Sequence, residues 1–287
     1  MQTYGWVSFY GAAALFYLAD IIQKRGSQDN NTWTYIFYRS GYTSLITFLL
    51  ALCFGDSLFA LEWFLMFKMM ACAFICSFGL FFYLESLKYT AFSNVGALSV
   101  VGNPLQWMVG VVFFNNEWKA WDIPIMLLLA VGSIIQIVQN KSFQGAKYVV
   151  LCSLSWTVGY SLLSDVIDQF PIHWSVFFLE LALWVCSFCF VFFANGRRIP
   201  RWSMTPKVRG KLVLLGLVIF AASYTSHYSY KVNELTVISF FQLSLYPIVY
   251  WVSLKIFKER PTGVEWITFI CGTLGLAGLA IKHVGVI

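Results

Sequence analysis

Charged residues are scarce in this chain, at 11% of 287 residues, so those that interrupt long apolar runs are the first candidates for chemistry. An ionised side chain in hydrocarbon is costly and is retained where it pairs, faces a polar cavity or takes part in moving a solute. Arg39, Glu85, Lys88, Glu180 and Lys231 are such residues, and we read them as gating or coupling groups. Glu85 and Lys88 lie three apart, on one helix face, where the competing reading is a local ion pair. Lys231 has His227 four residues before it on the same face, and His227 reads as a substrate contact or as a hydrogen-bonded packing residue. Arg39 and Glu180 each lie about two turns into an apolar run, and snorkelling to the interface is the competing reading for both. Asp20 and Asp165 close two further runs, as interfacial caps or as steps on a proton path.

Two prolines add a second kind of polar spot. Asn103-Pro104 and Tyr246-Pro247 fall inside apolar runs. A proline within a helix removes one hydrogen bond, frees a carbonyl and kinks the axis. Asn103, Gln106, Gln242 and Tyr246 are placed to line such kinks as substrate-binding residues, with Tyr10 and Trp156 as aromatic walls. Catalytic patterns are missing: there is no G-x-x-x-x-G-K-[ST], H-E-x-x-H or G-x-S-x-G. The three histidines form no zinc motif, and all seven cysteines lie in apolar runs, where they read as packing residues. The expectation is a non-enzyme with no cofactor and no metal.

The elements that must position these residues are set by hydropathy. Hydrophobic residues make up 59% of the chain, against about 25% charged residues in a soluble domain and the 11% found here. A helix crosses a bilayer core with about 20 apolar residues. Such stretches are expected near 3–23, 32–54, 62–85, 90–114, 122–140, 147–165, 173–195, 211–230, 234–256 and 263–282. They are continuous rather than alternating, which selects helices over barrel strands. Lys24 and Arg25 follow the first run and no basic residue precedes it, so it reads as a retained helix, since a signal peptide carries its charge in front.

One offset runs through the chain. Lys88 and Lys231, Pro104 and Pro247, and Gly132 and Gly275 are each 143 apart; Glu117 and Glu259 are 142 apart, and Asp20 and Asp165 145. Residues 1–143 and 144–287 therefore read as two repeats. Five spans each, an odd number, would make them inverted in the membrane, an arrangement that places a substrate site at the repeat interface. The fold class expected is all-α integral membrane, ten transmembrane helices in two inverted five-helix repeats.

The motif residues carry a family resemblance. The first half reads Tyr83-Leu84-Glu85-Ser86-Leu87-Lys88-Tyr89-Thr90, then Pro104, then Phe114-Asn115-Asn116-Glu117. The second ends Phe257-Lys258-Glu259-Arg260-Pro261-Thr262, then Glu265-Trp266 and a glycine-rich run. This resembles the drug/metabolite transporter superfamily, in particular its ten-helix EamA-type members, and Arg39 matches a frequent arginine there. The chain departs from that pattern at Asn115-Asn116, where a glycine is commoner, and at Tyr10-Gly11. The resemblance implies a transporter fold and leaves the substrate open.

Of the 19 Lys and Arg residues, only Lys68, Lys119, Lys231 and Lys282 fall on the side of residue 1, and Arg39 lies within a span. Basic loops stay in the cytoplasm, which places both termini outside, although the family is often drawn with them inside. The function expected is a secondary transporter of small organic metabolites (amino-acid-like, nucleobase-like or organic cation) working by alternating access in a bacterial inner membrane. Its partners are the solute, the lipid bilayer and a proton as coupling ion, with facilitated exchange as the alternative and no nucleic acid. The glycines Gly272, Gly275 and Gly278 read as helix packing or a homodimer face. The other function classes weighed are a non-transporting membrane receptor and a lipid-modifying enzyme.

Overall fold

A computed structural model describes residues 2–27, 31–54, 62–114, 119–138, 143–167, 171–194, 198, 204–232 and 235–283. The described residues are helical apart from short turns and connections, with no strand among them. In chain order the helices are α1 (Gln2–Ser27), α2 (Thr32–Cys53), α3 (Trp63–Tyr89), α4 (Phe92–Ser99), α5 (Gly102–Phe114), α6 (Asp122–Val138), α7 (Phe143–Ile167), α8 (Ile172–Ala194), α9 (Pro206–Val232), α10 (Leu235–Phe257) and α11 (Gly263–His283).

Among the described residues, five segments are long and apolar enough to cross a membrane: Thr32–Cys53, Trp63–Tyr89, His173–Ala194, Pro206–Ser226 and Gly263–Lys282. Their outward faces are apolar as well. On α11, Ile267, Ile270, Leu274 and Ile281 are exposed, while Thr268, Gly272, Gly275 and Leu276 are buried. A water-soluble surface does not carry so continuous an apolar face, and the chain is a helical membrane protein.

Helix bounds keep the sequence offset. The ends of α3 and α9 differ by 143 residues, and so do those of the α4–α5 pair and α10. The fourth apolar run differs from the expectation of one kinked span. It is two helices, parted at Val100-Val101, with Pro104 in the first turn of α5. Pro104 cannot donate to the Val100 carbonyl, and that carbonyl instead accepts from the Asn103 backbone at 3.1 Å and its side-chain amide at 3.2 Å. Pro247, by contrast, is held within the continuous α10.

The chain forms two compact units, each drawn from both sequence halves: residues 3–84 with 159–229, and 85–158 with 230–287. In the first, α2 packs along α8. Ala51, Met66, Met69, Cys72, Trp174 and Phe178 make a core among α2, α3 and α8, while Ala19 meets Leu215, Val218 and Ile219 between α1 and α9. Asn31 caps α2, its side-chain oxygen accepting from Trp33 N at 3.1 Å and Thr34 N at 3.4 Å, which satisfies donors that a helix start leaves open. Trp33 is stacked between Phe81 and Phe190, at centroid distances of 4.5 and 4.4 Å; a stacked contact on both ring faces adds to the area it buries.

In the second unit, α11 packs on α6, α10 and α4. The glycine stripe makes this possible. A Cβ at Gly275 would lie 2.5 Å from Leu129 Cγ, one at Gly278 2.9 Å from Ile125, and one at Gly132 2.8 Å from the Thr268 backbone. The stripe is thus filled from within the chain. Glu259, in the turn after α10, caps α4: its carboxylate accepts from Phe92 N at 2.7 Å, Ser93 N at 2.9 Å and Ser93 Oγ at 2.7 Å. An anion at a helix N-terminus also meets the favourable end of the dipole.

Candidate functional site

The first unit holds a charged cluster. Arg39 on α2 donates from Nη1 to Glu180 Oε2 on α8 at 2.5 Å and to Ser40 Oγ at 3.3 Å. The two side chains are 5% and 6% exposed, so they do not snorkel; they pair across the helix interface. Asp20 on α1 lies in the field of Arg39 and takes a hydrogen bond from the Tyr83 hydroxyl of α3. It is not a cap, because α1 continues for about two more turns to Ser27. Tyr35, fully buried, also lies near the guanidinium. Four helices thus converge on one arginine.

Why α2 can carry this cluster is visible in its inner face. Arg39, Thr43 and Thr47 recur every four residues, which keeps them on one side. Thr43 Oγ1 donates back to the Arg39 carbonyl at 2.9 Å and Thr47 Oγ1 to the Ser44 carbonyl at 3.1 Å. These hydroxyls satisfy themselves on their own helix and leave the guanidinium to the carboxylates. Arg39 Nε and Ser44 Oγ are buried with no hydrogen-bond partner. Beside the cluster, an apolar groove of about 320 Å³ runs between α2 and α8, lined by Gly41, Ser44, Leu45, Phe48, Phe177, Leu181 and Trp184.

The second unit holds the helix break. Asn103 turns its amide onto Val100, and a Cβ added at Gly102 would lie 3.8 Å from the Ser153 side chain of α7. Tyr246 on α10 reaches across to α4, its hydroxyl donating to the Ala97 carbonyl at 3.2 Å, and stacks on Phe269 at 5.4 Å. Glu85 and Lys88 form the local pair, at 3.2 Å, near the stacked Tyr89 and Tyr148 rings. At the other end of the unit Lys282 pairs with fully buried Asp122.

Among the residues singled out from sequence, the first unit brings together Arg39 and Glu180 and adds Asp20; Tyr10 is also in this unit, half-buried on α1. Asn103, Pro104, Trp156, Tyr246 and Pro247 belong to the second. Gln106, His227, Lys231 and Gln242 lie on helices, but their side chains are outside the described residues, as is that of Asp165. Sequence reading missed Tyr83, whose only signal is its place beside Glu85 in the third-helix motif, and the hydroxyl face of α2, whose signal is the four-residue spacing after Arg39.

No protein-family model matches the chain, and no curated protein does. Among solved structures, the chain is similar to one described as "Crystal structure of protein", with a TM-score of 0.65 at 16% identity, over 97% of this chain and 96% of that one. At that identity the likeness speaks to fold alone.

Proposed function

We propose that the chain is a secondary transporter of small organic metabolites, an EamA-type member of the drug/metabolite transporter superfamily and not an enzyme. In this reading ten spans form two inverted five-helix repeats, and the solute crosses by alternating access in a bacterial inner membrane with both termini outside. The observation that carries it is the pairing of repeat mates: α2 packs on α8, α4 on α10 and α6 on α11, each pair separated by about the 143-residue offset. Elements related by a pseudo-two-fold axis meet this way when they lie near the axis. Transporters with inverted repeats use discontinuous helices to bind their solutes, and the α4–α5 break with Asn103 is such an element within the second unit. Solute polarity is open among amino-acid-like, nucleobase-like and organic-cation compounds; Tyr10, Trp156 and Tyr246 favour rings and cations, which stack on aromatic faces.

The test is a thermal-shift screen of the purified full chain against panels of those three classes. A ligand that binds the folded state raises its melting temperature with concentration. The expected result is a concentration-dependent rise for one class, reduced in Asn103→Ala and Trp156→Ala variants that remain folded. Stabilisation only by lipids would favour a lipid-modifying enzyme, and no stabilisation by any of the three classes would remove the solute site on which the reading depends.

A further inference from the structure

The Arg39 cluster carries more than a structural ion pair. Its guanidinium serves two carboxylates on two different helices, Glu180 of α8 and Asp20 of α1, but makes its direct contact with Glu180. Arg39 is 4% exposed, and its Nε still has no acceptor. Hydrogen-bonding capacity buried without a partner is costly, and here it belongs to an arginine whose charge also acts on the Asp20 carboxyl group. Asp20 differs from Glu180 in two ways: it is only half-buried, and its hydrogen bond comes from a neutral phenol.

We propose that Asp20 is a proton-binding site, at which protonation and release decide whether the Arg39 guanidinium is held by α8 alone or shared with α1. The inference deepens the transport reading and rests on it for its purpose, since it supplies the coupling ion. With Asp20 as the neutral acid, Arg39 and Glu180 balance each other, as in the described geometry. When the carboxyl gives its proton to water, a second anion faces one guanidinium, and the unused Nε is the donor that draws α1 towards α2. A proton requires no cavity of its own, which suits a cluster set between helices. The groups that face it are Tyr83 from α3, Tyr35 and Arg39 from α2, and Glu180 from α8. Lys24, also buried, lies one turn further along α1. Helix α9 meets α1 through Leu215, Val218 and Ile219, all apolar. Two interacting carboxyls with one arginine titrate as a coupled set, so each must be identified by substitution.

The experiment is infrared difference spectroscopy of the full chain in lipid, between acidic and alkaline buffer, following the carbonyl stretch of protonated carboxylic acid. The expected result is a band that titrates in the wild type, shifts in D2O, is lost in Asp20→Asn and persists in Glu180→Gln. Tyr83→Phe keeps Asp20 and removes its hydrogen-bond donor, so it should move the band without abolishing it; this variant decides the matter if Asp20→Asn does not fold. A wild type with no titrating band would overturn the proposal, as would a band that survives Asp20→Asn or ignores Tyr83→Phe. Solute flux in vesicles without a titrating band would sink the proton site and leave the transporter standing. A titrating band with no solute flux would do the reverse.

Discussion

Arg39 shows how much one residue can commit a membrane bundle to one arrangement. Removing one partner of a buried ion pair strands the other, at about 3–5 kcal/mol, whereas replacing both by apolar groups of like volume is often neutral or stabilising. Arg39→Ala and Glu180→Ala should each lower the unfolding free energy by that order, and Arg39→Met with Glu180→Met should lower it less than either single change. Reversible unfolding in mixed micelles measures all three. Equal losses for the double and single variants would mean that the pair is not the cause. Sequence made Arg39 and Glu180 visible because charges are rare in apolar runs. It did not make their contact visible, because the two residues lie 141 apart and nothing local links them. Of the two readings of Asp20, cap or step on a proton path, the cap fails for a related reason: α1 runs on through the basic Lys24 and Arg25, where hydropathy suggests an end.

At the scale of the element, the α4–α5 break and the glycine face of α11 fix how helices meet. Glu259 caps α4 from a turn far along the chain, and loss of a capping side chain costs about 0.5–2 kcal/mol. Glu259→Ala should speed amide exchange at Phe92 and Ser93 and lower stability within that range; unchanged exchange there would deny the cap. Overfilling a packed contact costs about 1–3 kcal/mol. Gly275→Leu, placed against Leu129, should cost that much, while Gly210→Leu, with nothing within 4 Å of its Cβ, should cost little; thermal unfolding in detergent compares the two, and equal losses would contradict the packing described. Proline position was legible in the sequence, but its outcome was not. Pro104 and Pro247 are mates by offset, yet one adjoins a break and the other lies within an unbroken helix. Asn103, which precedes Pro104, supplies both donors to the freed Val100 carbonyl, whereas Tyr246, which precedes Pro247, spends its hydroxyl on Ala97 of the neighbouring helix.

For the whole molecule, the division into helices was legible because continuous apolar runs of the right length admit few alternatives. The grouping of those helices was not. A helix that is apolar on all sides gives no periodic sign of its inner face, so the interleaving of both sequence halves in each compact unit had to come from packing. The 143-residue offset is the link between the two scales: it was read from scattered Lys, Pro and Gly pairs, and it recurs in the helix bounds. The proposed passage of a solute by alternating access is the central claim, and what supports it is the packing of α2 on α8, α4 on α10 and α6 on α11. Counterflow in proteoliposomes tests that claim most directly. Vesicles are loaded with an unlabelled amino acid, nucleobase or quaternary ammonium compound and diluted into its labelled form. The account predicts transient, saturable accumulation of label for one of these classes, lost in Asn103→Ala and Arg39→Ala proteins shown to be folded. Equal label in protein-containing and empty vesicles for all three classes, from a chain shown to be folded and inserted, would contradict it.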